Sequence, residues 1–177
     1  KSLGKFKEAT EYFNKALKIN NNYSDAKLNL ASVLTETGEI SKSISIFKEL
    51  LSEDKNNYLA LNNIGNAYRL NQLYDEAIEN LVLSINIKPM PITYNNLGIA
   101  YAEKKEFNKA LDNFKKAISM DKGFFDAYNN INELLLETNQ INSSVKFTKN
   151  IIENFPDHYL PYFNHALSLS KIGKADE

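Results

Sequence analysis

Apolar residues recur along this chain at spacings of three and four, and those spacings come in blocks. In residues 3–19, Phe6, Ala9, Phe13, Ala16 and Leu17 share one face, which predicts an amphipathic helix. Asn20-Asn21-Asn22 reads as a turn. Leu30, Ala31 and Leu34 face inward from a helix over 24–37; Ile40, Ile44, Phe47, Leu50 and Leu51 do so from one over 40–53. Gly38 stands between them, where a left-handed residue ends a helix without Cβ strain. The same pattern predicts pairs over 58–71 and 74–87, from Pro91 to about Lys104 and 107–120, and over 125–138 and 141–154. Proline suits the first turn of a helix and not its interior, so Pro91 opens its helix. Pro89 and Pro91 bracket a turn one residue shorter than its neighbours. Pro156 marks a further turn, and a last helix starts near Tyr159, with Pro161 in its first turn, and runs to about Ile172. Ten helices result, with links short enough to favour antiparallel neighbours.

The blocks are copies of one another. Tyr94-Asn95-Asn96-Leu97-Gly98-Ile99-Ala100-Tyr101 repeats Leu61-Asn62-Asn63-Ile64-Gly65-Asn66-Ala67-Tyr68. Gly65 and Gly98 are thirty-three apart, while Ala31 and Gly65, Gly98 and Asn132, and Asn132 and Ala166 are thirty-four apart. A period near thirty-four with two helices in each predicts an all-α solenoid of antiparallel helix pairs with one continuous core. The segments are 1–23, a second helix alone; 24–57, 58–90, 91–124 and 125–158, full repeats; and 159–177, the start of another. Small residues (Ala31, Gly65, Gly98, Ala77, Ala110) let two helices approach, and large ones (Phe47, Tyr68, Tyr101, Phe114) fill the space between repeats. The repeat at 125–158 departs most: Asn132 stands where Gly or Ala is expected, Thr148 where an aromatic is, and Ile151 where Ala is. Its two helices should pack less closely, and it should be the softest repeat.

Tyr94, Asn96-Leu97-Gly98, Tyr101, Phe107 with Ala110, and Phe114 with Ala117-Ile118 resemble the tetratricopeptide repeat family, as do Leu61 to Tyr68 and Tyr74 to Ala77. The resemblance covers the whole chain and implies a right-handed α-α superhelix that binds peptides or proteins. It also implies that the first helix of each repeat lines a concave groove. Asn29, Asn63, Asn96, Asn130 and Asn164 occupy one equivalent place in the first helices, and the resemblance turns that place toward the groove. Such a series is similar to the asparagine ladders of protein O-GlcNAc transferase arrays, kinesin light chains and mitotic-orientation scaffolds. An amide has a donor and an acceptor, so it can pair with both groups of an extended peptide backbone. With first helices about 10 Å apart and a strand rising about 3.3 Å per residue, one asparagine meets every third ligand residue. Asn62, Asn66, Asn95 and Asn129 are expected on or near the same groove. Members that hold the C-terminal carboxylate of Hsp70 or Hsp90 use a Lys/Arg-and-Asn clamp; Lys27 and Arg69 do not stand where it would need them.

Composition adds exclusions. Net charge is −1, so no global field favours nucleic acid or an anionic membrane. There is no cysteine, which rules out disulfides and thiolate metal sites. No apolar run reaches the roughly 18 residues of a membrane span. The chain begins without Met and in mid-repeat and ends in mid-repeat, which predicts a piece of a longer array or of a larger protein. Frequent asparagine, lysine and isoleucine fit a genome rich in A and T.

No catalytic, metal or cofactor site is expected. His158 lies in a turn and His165 in a core place, both as structural residues. No GxGxxG, P-loop or GxSxG occurs. Asn22-Tyr23-Ser24 and Asn142-Ser143-Ser144 match a glycosylation sequon by chance in an asparagine-rich chain. The expected function is a non-enzymatic module binding an extended peptide or protein segment. The alternative is the substrate-recruiting arm of a larger enzyme such as a glycosyltransferase or sulfotransferase. The last helix should expose Tyr162, Ala166, Leu169 and Ile172, which predicts an end-to-end homodimer.

Overall fold

A computed structural model describes residues 2–175. Lys1 and residues 176–177, the outer limits of the first and last segments, lie outside the described residues. The elements are α1 (Ser2–Ile19), α2 (Ser24–Glu36), α3 (Ile40–Glu53), α4 (Tyr58–Leu70), α5 (Tyr74–Ile87), α6 (Pro91–Glu103), α7 (Phe107–Met120), α8 (Phe125–Glu137), α9 (Ile141–Asn154) and α10 (Tyr159–Ala175). No strand occurs among them, and the whole is an α-α superhelix.

Four first helices end one residue before the place their apolar pattern suggests, and one device causes it. Gly38, Gln72, Lys105 and Asn139 follow α2, α4, α6 and α8 with φ of 86°, 61°, 65° and 58°. The next residue then bonds back across the turn: Glu39 N–H to the Leu34 carbonyl, Leu73 to Tyr68, Glu106 to Tyr101 and Gln140 to Leu135, at 2.7–2.9 Å. Such a closure satisfies carbonyls that a helix end leaves open. Gly38 and Asn139 announce the left-handed residue by their type, since glycine and asparagine are the residues that favour it. Gln72 and Lys105 adopt it at a cost of about 1–2 kcal/mol each, held by the repeat on either side.

Pairs α2/α3, α4/α5, α6/α7 and α8/α9 fold back on themselves across these turns. The small residues are needed for that. A Cβ on Gly98 would stand 2.5 Å from Phe114 Cε1, and one on Gly65 would stand 2.7 Å from Leu81 Cγ. Phe114 and Leu81 are fully buried at these crossings. Each second helix also packs on the first helix that follows: Phe47 and Leu50 of α3 join Ala60, Ile64 and Ala67 of α4, and Phe114 and Ala117 of α7 join Ala127, Ile131 and Leu134 of α8. The core is therefore a relay in which each repeat touches only its neighbours.

Successive first helices touch (α2 with α4, α4 with α6, α6 with α8, α8 with α10), whereas successive second helices do not meet among the described residues. Elements that crowd together occupy the shorter arc of a bend, so the first helices form the concave side.

Two places break the pattern. Lys27 of α2 occupies the position held by Tyr94 in α6 and Tyr128 in α8, and it is buried. Its Nζ donates to Glu49 Oε1 at 2.6 Å and Glu53 Oε1 at 2.8 Å on α3. Those bonds, from Glu49 first and Glu53 second, hold its ammonium above the ordinary lysine value. In the fourth repeat Asn132 is fully buried where Ala31, Gly65 and Gly98 stand in the others, and Thr148 takes the place of Phe47, Leu81 and Phe114. A larger residue on one helix is offset by a smaller one on the other, and the junction becomes polar. Asn132 Oδ1 accepts from Ser144 Oγ at 2.6 Å and Ser168 Oγ at 3.2 Å, and Thr148 Oγ1 lies 2.9 Å from His165 Nδ1. Asn132 Nδ2 is buried without a partner, which costs about 1–3 kcal/mol. Helices α8 and α9 also pack less closely than α6 and α7. His158 serves the next turn, stacking on Phe125 at 3.5 Å and accepting from the Leu160 N–H at 3.3 Å.

A soft fourth repeat should show itself in hydrogen exchange. Amides of α8 and α9 are expected to exchange faster than those of α4 and α5. Equal protection in the two pairs would contradict it.

Candidate functional site

The concave wall is built from α2, α4, α6, α8 and α10, and the asparagine series runs across it. Asn63, Asn96 and Asn130 are half-buried at equivalent places on α4, α6 and α8. Each turns its amide toward the first helix of the preceding repeat. Asn63 Nδ2 donates to Ser32 Oγ at 3.0 Å, Asn96 Nδ2 to Asn62 Oδ1 at 3.1 Å, and Asn130 Nδ2 to Asn95 Oδ1 at 2.7 Å. Asn62 Nδ2 in turn donates to Asn63 Oδ1 at 2.9 Å. A hydrogen-bonded seam therefore joins successive first helices.

The remaining members of the series sit differently. Asn29 is exposed and its Nδ2 returns to the Asp25 carbonyl of its own helix at 2.9 Å; among the described residues no first helix precedes α2. Asn62 and Asn95, 7 % and 4 % exposed, are acceptors inside the seam rather than open surface. Asn164 is 4 % exposed, and its backbone carbonyl accepts from Ser168 Oγ at 2.8 Å. Asn66 Oδ1 accepts from Arg69 Nε at 3.2 Å and Nη2 at 2.9 Å, and Asn129 Nδ2 donates to Glu133 Oε1 at 3.0 Å. Nothing among the described residues donates to Asn96 Oδ1 or Asn130 Oδ1, and each amide keeps one N–H beyond its seam bond.

A second tie between repeats runs along the end of the first helices. Arg69 Nη1 donates to Glu103 Oε1 at 2.6 Å, and Lys105 pairs with Glu137. Arg69 and Glu103 are thirty-four apart, one period, and opposite charges at that spacing are the signal that would have found them. Ser32, the acceptor for Asn63, carries no such signal. Between the first helices lie hollows: one of about 120 Å³ edged by Ser32, Glu36, Asn63 and Asn66, and one of about 260 Å³ edged by Ile99, Glu103, Asn130 and Glu133. Among the described residues there is no group of three or more His, Cys, Asp or Glu that could hold a metal ion. Among the described residues no helix is long and apolar enough to cross a membrane.

Family models of the tetratricopeptide repeat match residues 2–56, 58–89 and 91–124. No curated protein matches the sequence significantly. Among solved structures, TTC0263, a thermophilic protein of the same repeat class from Thermus thermophilus, is similar with a TM-score of 0.79 at 19% identity, over 95% of this chain and 92% of that one. MamA is similar with a TM-score of 0.69 at 22% identity, over 98% and 94%. YrrB, described as having an unusual peptide-binding site, is similar with a TM-score of 0.66 at 18% identity, over 93% and 85%. At these identities the likeness is one of fold.

Because the seam bonds cross between repeats, removing them should loosen the array as well as destabilise it. Asn96→Ala leaves the buried Asn62 Oδ1 without its donor, at about 1–3 kcal/mol. Urea unfolding followed by circular dichroism should show a lower midpoint and a broader transition for Asn63→Ala/Asn96→Ala/Asn130→Ala. Asn29→Ala, which breaks no bond between repeats, should change neither. An unaltered midpoint in the triple variant would count against the seam.

Proposed function

The chain belongs to the tetratricopeptide repeat family, and from that premise we propose that it binds an extended peptide or protein segment along its concave wall. The observation that carries this reading is the row of half-buried Asn63, Asn96 and Asn130, one per repeat on the inner helices. Each has spent one N–H on the seam. The open Oδ1 of Asn96 and Asn130 meets backbone N–H groups of the ligand, and the second amide hydrogen meets its carbonyls. The exposed Asn29 extends the row at one end, with Asn66 and Asn129 beside it. Asn62 and Asn95 hold the row in place as acceptors, while Asn164, the last member of the series, is buried. Backbone pairing is indifferent to ligand side chains. Each bond contributes about 0.5–1.5 kcal/mol net, so a few of them give affinity nearer micromolar than nanomolar.

An array of random twelve-residue peptides tests this directly. Wild-type protein should bind many of them weakly, and Asn63→Ala/Asn96→Ala/Asn130→Ala, at a temperature where it remains helical, should bind about tenfold to a hundredfold less. Equal binding by the two proteins would send the search to the convex side.

A second contact is supported by α10, where Tyr162 and Leu169 are each 47 % exposed and Ala166 is exposed beside them, while Ile172 is half-buried. This face suits end-to-end pairing of two copies. Light scattering should then give a mass that rises with concentration, and a monomer at the highest concentration reached would remove the pairing.

A further inference from the structure

On the first helices α2, α4, α6 and α8 the inner face runs through four positions at i, i+4, i+7 and i+11, with the row asparagine second. The other three positions differ sharply along the array. In the middle they are mostly apolar: Leu59 and Leu70 on α4 are 40 % and 46 % exposed, Ile92 on α6 is 40 % exposed, and Ile99 is half-buried. Asn66 and Glu103 complete the middle set, both held by Arg69. At the two outer helices acids predominate: Asp25 and Glu36 on α2, and Asp126, Glu133 and Glu137 on α8, all exposed.

These acids are not all equivalent. Asp25 and Asp126 lie in first turns, where a helix dipole welcomes negative charge. Glu36 ends α2, where the dipole opposes it, and Glu133 lies in the second half of α8. Glu103 and Glu137 also end their helices, and each has a basic partner, Arg69 and Lys105. Among the described residues Glu36 and Glu133 have none. Each of the two edges a hollow between first helices, Glu36 that of about 120 Å³ and Glu133 that of about 260 Å³. Glu133 Oε1 also accepts from Asn129 Nδ2 one turn earlier on its own helix, and Lys105, paired with Glu137, edges the same hollow. Neither neutralises its charge, and Glu36 has no basic partner among the described residues, so a cation arriving on the wall would complement both carboxylates.

We propose that the wall selects an extended segment with a basic residue at each end and apolar residues between them. This rests on the groove reading above and names the class of ligand. Three steps of about 10 Å separate α2 from α8, so the two basic residues are about nine positions apart in a strand rising about 3.3 Å per residue. Leu70 and Ile99, at the same levels of their helices as Glu36 and Glu133, take the side chains in between, and the asparagines one turn away take the backbone. The near-zero total charge of the chain conceals this, because the acids of the wall are balanced by lysines elsewhere.

Three labelled synthetic peptides test it by fluorescence anisotropy in roughly 0.15 M salt. One has lysines nine positions apart with alternating valine and serine between them. The second has glutamates in place of the lysines, and the third keeps the lysines but has serine throughout the middle. The first should bind about tenfold or more tighter than either of the others. Glu36→Gln/Glu133→Gln, two exposed changes that leave the fold alone, should weaken it about fivefold, as expected for two exposed ion pairs of about 0.5 kcal/mol each. That preference should shrink at about 1 M salt. If the lysine and glutamate peptides bind alike and Asn63→Ala/Asn96→Ala/Asn130→Ala loses both, the groove stands and the charge selection is overturned. If none binds at millimolar concentration, both readings fall.

Discussion

The crossing of a small residue over a large apolar one sets the geometry of this array. At Gly98 the backbone of α6 comes so near Phe114 that even a methyl group has no room, and Gly65 over Leu81 repeats the arrangement one period earlier. The close approach fixes how far each pair of helices can open. Since each second helix then packs on the next first helix, that distance is handed along the array. A solenoid has no distant contacts to correct an error, so local complementarity of size carries the whole fold. The fourth repeat shows the rule by its exception. With Asn132 in the place of the small residue and Thr148 in that of the large one, volume is conserved across the junction, but a hydrogen-bonded polar cluster replaces dispersion contacts and leaves one amide nitrogen unpaired.

Polar residues do a second job here that apolar packing cannot. The first helices lie close enough for side chains of one repeat to reach the next, and two series bridge them: amides in the middle of the helices and ion pairs at their ends. Both sets of bonds link neighbours about one period apart, so both act on coupling between repeats rather than on the stability of any single one. The same amides face the groove. The seam that joins repeats and the proposed contacts to a ligand backbone would then share one set of side chains, with donors and acceptors divided between the tasks.

Much of this was legible in the residues. Apolar periodicity located all ten helices, with starts that agree closely, because burial of one face is what makes each helix stable. The last helix runs to Ala175 rather than Ile172. What the residues hid falls into two kinds. Left-handed closures at Gln72 and Lys105 are imposed by the repeat and not by the residue, so only Gly38 and Asn139 carry a sign of them in their type. The partners of the asparagines were hidden as well. Spacing places Asn63, Asn96 and Asn130 on one face, but whether an amide meets a ligand, a solvent molecule or Asn62 and Asn95 of a neighbouring helix depends on how closely helices stack. That distance is a property of the assembled wall and is not written at any one position.

The seam also has a sense. Asn130 gives its hydrogen to α6, Asn96 to α4 and Asn63 to α2, always toward the beginning of the chain, and the oxygens of Asn130 and Asn96 stay open while that of Asn63 accepts from Asn62. The inner wall is therefore vectorial, like a ratchet cut in one direction. A strand bound there as proposed would meet donors and acceptors in a different sequence from the same strand reversed, so the proposed groove would distinguish N-to-C orientation before any side chain is read.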